Sequence, residues 1–330
     1  VGGAGRSVLI VHPGALGDVL LALPALAHLA RVRPGARRIL ATAPRIAALL
    51  AGAACVEETG PLDALGLHRL FTAAGDAATL ARLAAHDTIV SWLGAGDAVF
   101  RAHLAGLDGA GARRVIVARG TPGPAAARHA AWHFLDTLAP LGPLPEALPP
   151  VRLTAGPVER AWAAAWLDDR AVAAGPVVLQ PGAGAPAKVW PGMAALARRL
   201  VARGLPVVAV TGPAESAAEI PGVLVAHDLT LRQLVALFER AAVFVGHDSG
   251  LTHLAAAVGG PTVALFGPTD PAIWAPAGPP RAEGRSPEAE GRSNVTVLAG
   301  EGSRESEPWR GLDPDRVERA VLEQAAAAVA

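Results

Sequence analysis

The stretch "FVGHDSGLTHLAAA" (residues 244–257) decides how this chain is read. An apolar run, Ala241–Val245, stops at Gly246-His247-Asp248-Ser249-Gly250, and an Ala-rich helical pattern begins at once. A short apolar run bounded by polar turn residues reads as a buried strand, and the following segment has the length of a helix. Strand, polar turn and helix in direct succession form the repeating part of a βαβ unit, which builds a parallel sheet. The turn brings a carboxylate, a hydroxyl and two glycines to the carboxyl end of the strand, where open α/β sheets bind ligands. Asp248 and Ser249 are candidate N-caps for a helix over Leu251–Val258, whose first N–H groups suit an anionic phosphate. His253, three residues past Gly250, sits on a turn able to face the same ligand. Capping accounts for one polar residue but not for four within seven positions.

The same alternation runs through the whole chain. Strands are predicted at Val8–Val11, Arg38–Thr42, Thr88–Trp92 and Arg114–Val117, then at Val177–Gln180, Pro206–Val210, Val223–Val225, Val243–Val245 and Thr262–Phe266. Helical patterns cover Asp18–Val32, Ala125–Leu138, Gly192–Arg203, Leu231–Arg240 and Leu251–Val258. Residues 139–157 carry six prolines, a density that neither a helix nor a central strand tolerates, so the interdomain linker is placed there. The expected division is a first domain over 1–150, a second over 151–311 and a terminal helix over 312–330. That helix has Asp313 as N-cap and Pro314 in its first turn, with a return onto the first domain as its expected packing. Residues 276–308, rich in Gly, Pro, Ser, Arg and Glu, read as a long mobile loop. "VLIVHPGALGD" and "PVVLQPGAGAPAK" each run a strand into Pro-Gly-Ala, which suits two similarly built α/β domains facing each other across a cleft.

Composition excludes several classes. The 330 residues are 52% apolar and 18% charged, which suits large buried cores rather than disorder. Formal net charge is zero and the seven tryptophans interleave no basic stripe, so no nucleic-acid partner is expected. Cys55 is the single cysteine, so no intrachain disulfide forms and a reducing compartment is permitted. No run of about 18 uninterrupted apolar residues marks a membrane span. His12, Pro13, Gly14 and Asp18 interrupt the apolar N-terminal region, which reads as strand–loop–helix rather than as a secretion signal.

Three further segments place polar groups at strand ends. In "HPGALGDVLLALPAL", Asp18 follows Gly17 in the first helical turn, either as a cap favoured by the helix dipole or as a general base. In "QPGAGAPAKVWP", Gly182, Gly184 and Ala187 fit G-x-G-x-x-A, but Pro186 and the Lys188–Pro191 run spoil the smooth helix start which that fingerprint needs. A P-loop fails too, because Lys188 lacks the flanking Gly and Ser or Thr. There remains a loop offering backbone N–H groups and one lysine to a diphosphate, with a solvated surface lysine as the plain alternative. In "VTGPAESAAEI", Glu215 follows a strand and a Gly-Pro turn, within reach of a ribose or serving only the helix dipole. "FGPTDP" adds Thr269 and Asp270 to the sheet edge that carries Asp248. His247 and His253 lack zinc-site spacing, and no G-x-S-x-G occurs, so neither a metal site nor a hydrolase nucleophile is expected.

Together, "VLIVHPGALGDVLLALPAL", "PGAGAPAKVWP" and "FVGHDSGLTHLAAAVGGPTVALFGPTDP" resemble the motifs of glycosyltransferase family 9, the ADP-heptose:lipopolysaccharide heptosyltransferases. The resemblance runs from about Val8 to Trp274 and is weaker over 40–170, where "RHAAWHFLDTLAPLG" is the best remnant. It implies a GT-B fold of two Rossmann-like domains, with acceptor bound by the first and nucleotide-sugar donor by the second. It also implies inverting transfer without a metal or other cofactor. By motif, Asp18 matches the family's catalytic base and Lys188 its donor-phosphate lysine. Asp248, Ser249, Gly250 and His253 match the donor sugar and phosphate site, Glu215 the ribose-binding acid, and Gly17, Gly182 and Gly184 the close backbone contacts. A lipid-linked or surface-polysaccharide acceptor, a cytoplasmic location and peripheral contact with the inner membrane follow from the same resemblance. The chain departs from the pattern at His12, where Lys or Arg is common, at Ala183 and Gly184, which stand where some members carry hydroxyls, and in "SWLGAGDAVF" (91–100), which lacks a Gln-Gly and a basic residue. A GT-B sugar-nucleotide epimerase and a non-catalytic nucleotide-sugar-binding protein are the competing readings.

Overall fold

A computed structural model describes residues 6–109, 113–123, 128–173, 175–212, 220–277, 294–302 and 305–329. The chain divides into two compact units, Val1–Val151 and Arg152–Ala330, so the division falls at the end of the run that carries Pro149 and Pro150.

The first unit holds β1 (Ser7–Val11), β2 (Arg37–Thr42), β3 (Glu58–Pro61), β4 (Thr88–Ser91) and β5 (Arg114–Val117). They form one sheet in the order β3-β2-β1-β4-β5, and every pairing is parallel. Its helices are α1 (Leu16–Leu21), α2 (Leu23–Val32), α3 (Pro44–Leu50), α4 (Ala77–Ala84), α5 (Ala98–Ala105) and α6 (Ala130–Asp136). All five residues of β1 are buried, as a central parallel strand covered on both faces requires. The helical pattern predicted over Asp18–Val32 is divided at Ala22, because Pro24 lies in the first turn of α2 and cannot continue α1. The pattern predicted from Ala125 starts at Ala130, with 124–127 outside the described residues. Strand β3 has no apolar alternation to announce it. Its sequence, ETGP, contains Gly and Pro, which a sheet accepts at an edge.

The second unit repeats this architecture with β6 (Val177–Leu179), β7 (Val207–Thr211), β8 (Val223–His227), β9 (Val243–His247), β10 (Thr262–Phe266) and β11 (Val295–Ala299). The order is β11-β10-β9-β6-β7-β8, again wholly parallel. Helices α7 (Pro157–Asp168), α8 (Met193–Ala202), α9 (Leu231–Arg240), α10 (Gly250–Val258), α11 (Pro271–Trp274) and α12 (Pro314–Val329) accompany it. Both units therefore have the doubly wound strand order of a Rossmann-like domain. Thr230 caps α9 through a reciprocal exchange with Gln233, which fixes its start where the sequence places it. Helix α10 is buried from Thr252 to Val258, and its alanines allow close seating on the sheet.

Two expectations are corrected here. Part of the stretch read as loop over 276–308 is strand β11, which pairs with β10 along Thr262–Phe266; VTVLA is a strand sequence masked by its Gly- and Ser-rich flanks. Residues 278–293 and 303–304 of that stretch lie outside the described residues. The apolar face of the terminal helix packs within the second unit. Leu312, Val317, Ala320 and Val321 join the core of the second, packing with α8 and the strands β9, β10 and β11. Asp313 caps α12 as expected, its carboxylate accepting the Arg316 N–H at 2.8 Å. No described helix is long and apolar enough to cross a membrane.

Candidate functional site

Strand order reverses between β6 and β9 in the second unit, so the loops leaving these neighbours diverge and open a crevice at their carboxyl ends. Gln180 follows β6, and Asp248 and Ser249 follow β9. The Ser249 hydroxyl donates to Gln180 Oε1 at 2.5 Å, bridging the two strand ends. Ser249 thus stands at the N-cap of α10 without spending its side chain on the cap. Gly246 is required by space: a Cβ there would lie 2.6 Å from the Thr252 hydroxyl, which donates to the His247 carbonyl and closes the turn.

The loop over 181–190 is tied down by the buried His247. Its Nδ1 donates to the Gly182 carbonyl at 3.0 Å and its Nε2 accepts the Trp190 N–H at 3.0 Å. One nitrogen donates and the other accepts, so the ring serves here as a neutral latch. Trp190 is held in turn by its indole N–H on the Leu312 carbonyl at 2.8 Å, and Trp309 donates to the Ala187 carbonyl at 3.3 Å. This bracing places Lys188, at the end of a single 3-10 turn over Pro186–Lys188, with its Nζ 2.6 Å from Asp248 Oδ2.

Asp248 is the electrostatic centre. Burial alone would raise its pKa, but the side chains of His253, Lys188 and Thr269 outweigh that, and the carboxyl is brought down from 3.8 to about 2. His253 Nε2 lies 3.9 Å from Asp248 Oδ1, and both side chains are at most one-tenth exposed. Lys188 keeps 31% of its side chain exposed. An ammonium has three N–H donors, so the bond to Asp248 leaves capacity for an incoming anion. Gly250 is the first residue of α10, beside the positive end of the helix dipole. A Cβ at Gly184 would meet nothing within 4 Å, so packing does not demand glycine at that position. Asp270 is accounted for structurally: it caps α11 by accepting the Ala272 N–H at 2.9 Å. Glu215 lies outside the described residues.

In the first unit the order reverses between β1 and β4, and here too the strand ends carry polar and aromatic groups. His12 follows β1 and Trp92 follows β4; their rings pack edge-on at 5.2 Å, with Phe134 of α6 at 5.2 Å from His12. The His12 Nδ1 accepts the Gly14 N–H at 3.1 Å, which shapes the turn leading into α1. A Cβ on Gly14 would lie 2.7 Å from the His12 ring and 2.8 Å from Asp18 Cβ, so only glycine fits. Asp18, half-buried, is the third residue of α1, with Gly17 before it, and its Oδ2 accepts the Ala15 N–H at 3.1 Å. The capping role of Asp18 is therefore present. Within segment 91–100, residues 92–97 link β4 to α5 and end in Asp97, the cap of α5 through the Phe100 N–H at 2.8 Å.

Asp248, Lys188, His253 and Ser249 thus come together around one strand end. Sequence reading missed Gln180 and the latch role of His247. The signal for Gln180 was a polar residue closing an otherwise apolar run; for His247 nothing local indicated a partner 65 residues away. Among the described residues, no group of three or more His, Cys, Asp or Glu could hold a metal ion.

The model of glycosyltransferase family 9 (heptosyltransferase) matches residues 102–294. Lipopolysaccharide heptosyltransferase 3 of Escherichia coli is 36% identical over 123 residues, a match spanning 33% of this chain and only 36% of that protein. Among solved structures, a family 9 glycosyltransferase from Veillonella parvula superposes with a TM-score of 0.71 at 16% identity, covering 97% of each chain. The E. coli ADP-heptose lipopolysaccharide heptosyltransferase II does so with a TM-score of 0.70 at 20% identity, covering 98% of this chain and all of that one. These superpositions agree with a GT-B fold of two Rossmann-like domains, and with the family match over more than half its length the chain belongs to glycosyltransferase family 9.

Proposed function

We propose that this protein is an inverting, metal-independent glycosyltransferase that moves a heptose-like sugar from an ADP-linked donor to a lipopolysaccharide-type or other surface-glycan acceptor. The observation that carries this reading is the Lys188–Asp248–His253 cluster at the strand-order reversal of the second unit, beside the start of α10. Asp248 holds the lysine in place and offers acceptor oxygens to donor hydroxyls. Lys188 and the N–H groups opening α10 meet the diphosphate. In the first unit, Asp18 takes the proton of the acceptor hydroxyl as that oxygen bonds to the anomeric carbon. The bond from that carbon to the phosphate oxygen breaks, and the electron pair leaves with the diphosphate. Negative charge thus grows where Lys188 and the helix terminus are already oriented, so little reorganisation is needed in the transition state. Action at the cytoplasmic face of the inner membrane goes with such an acceptor.

Thermal denaturation with ADP, UDP, GDP, CMP and NAD at matched concentrations tests the donor assignment. A ligand at about 100 times its Kd adds about 2.7 kcal/mol, enough to raise the midpoint by several degrees. ADP is expected to give the selective shift; a response to UDP alone redirects the donor, and one to NAD alone overturns the reading. Lys188→Ala is expected to weaken ADP by roughly 10- to 100-fold, the effect of one charge-assisted hydrogen bond, and adenosine far less. Equal loss for both ligands places Lys188 away from the phosphates. Transfer is expected to survive extensive treatment with EDTA, and loss restored by a metal refutes the metal-independent mechanism.

A further inference from the structure

From Gly182 to Ala187 the loop after β6 reads GAGAPA, and only Pro186 has a side chain larger than a methyl group. A Cβ at Gly184 would meet nothing within 4 Å, so side-chain packing does not hold this stretch. Its internal bonds, Lys188 N–H to the Ala185 carbonyl and Val189 N–H to the Pro186 carbonyl, both at 3.0 Å, close one turn. They do not fix where that turn lies. A loop of small residues and glycine has much conformational freedom to lose, so its placement depends on anchors from elsewhere in the fold.

Two residues supply those anchors. His247, fully buried at the end of β9, grips the loop at both ends through backbone groups, donating to the Gly182 carbonyl and accepting the Trp190 N–H. A strand covered on both faces is satisfied by an apolar residue there, so the imidazole is explained by the two groups it pairs. Trp309, from the segment that precedes α12, reaches the middle of the loop. Its indole N–H donates to the carbonyl of Ala187, the residue before Lys188, at 3.3 Å. Its ring lies over Gly267, just past β10, where a Cβ would come within 2.6 Å of it. The His247 and Trp309 rings meet edge-on, with centroids 6.1 Å apart.

We propose that His247 and Trp309 are positioning residues for recognition of the donor's diphosphate. They hold the turn over Pro186–Lys188 in place before the ligand arrives and so present the Lys188 ammonium beside Asp248. The proposal rests on the assignment of Lys188 to the donor phosphates, and each residue acts through that lysine. A loop already ordered loses less freedom on binding, so removing an anchor weakens phosphate recognition and leaves the nucleoside contacts alone. A purely structural role weakens every ligand alike.

The test is a double-mutant cycle with Lys188→Ala, read by calorimetric titration of ADP and of adenosine into the full chain. Trp309→Phe keeps a ring over Gly267 and removes the indole N–H; it is expected to weaken ADP by roughly 2- to 5-fold, and His247→Phe, which removes two bonds, by roughly 5- to 10-fold. Adenosine is expected to stay within about 2-fold in both, and neither change is expected to weaken ADP by more than about 2-fold in the Lys188→Ala background. His247→Gln retains one donor and one acceptor and is expected to recover part of the ADP affinity lost in His247→Phe. Equal loss of ADP and adenosine, losses that persist without Lys188, or ADP affinity unchanged in both single variants overturns this proposal and leaves Lys188 at the phosphates. ADP affinity unchanged by Lys188→Ala itself overturns the donor-site reading and this proposal with it.

Discussion

Asp18→Asn is expected to lower sugar transfer by about 10²–10⁴-fold, the usual contribution of a positioned general base. The substitution isolates that role. Asn keeps a side-chain oxygen able to accept the Ala15 N–H, now accepted by Asp18 Oδ2 at 3.1 Å, so the start of α1 is preserved. What is lost is the capacity to take a proton. The measurement is single-turnover transfer from ADP-heptose to a heptose-deficient lipopolysaccharide core, alongside ADP affinity. Affinity is expected to stay within a few-fold, because the donor-binding residues proposed above belong to the second unit. Transfer surviving within a few-fold reduces Asp18 to a helix cap. Loss of transfer with intact ADP binding also sets this protein apart from a non-catalytic binder, which has no transfer to lose.

A loss of stability at mildly acidic pH is the second large effect, and His12 is its expected source. Burial beside Trp92 and Phe134, opposed in part by the backbone of Asp18 and of His12 itself, brings the ring from 6.5 down to about 4. Between those values the unfolded chain binds a proton that the folded chain does not. Stability is therefore fully present above pH 6.5 and falls as the pH drops towards 4, by about 3 kcal/mol for this one group. That corresponds to roughly 6–12 °C in melting temperature for a unit of this size. His28 and His86 are also lowered and add to the decline in the same direction, so the comparison with His12→Asn is what assigns it. Asn offers an acceptor for the Gly14 N–H and has no proton to gain. Its melting temperature is expected to fall less steeply between pH 6.5 and 4 than that of the parent. Parallel curves for the two proteins exclude His12 as the source. Protonation also ends the acceptance of the Gly14 N–H by Nδ1, so the turn leading to Asp18 is expected to loosen over the same range.

The buried strands were legible because a parallel sheet covered on both faces forces short apolar runs, and nearly every such run was found where it lies. The edges were not. Strand β3, with the sequence ETGP, and strand β11, set in a polar stretch, pair on one side only and need no such pattern. Asp248, Ser249 and Gly250 were legible because a strand ending in polar residues before a helix has few structural explanations. Lys188 was visible as a lysine in a glycine-containing loop, but its partner was not.

By itself, then, the sequence determined the alternation of strand and helix, the break near the prolines and the polar residues presented at strand ends, since all of these follow from local periodicity and turn chemistry. Tertiary structure alone decided which of those ends are neighbours. Strand order puts β6 beside β9, and only then do Gln180 and Ser249, 69 residues apart, and Lys188 and Asp248, 60 apart, come within hydrogen-bonding distance. It also decided that α12 stays with the second sheet, because the apolar residues of an amphipathic helix specify burial without specifying the surface that buries them.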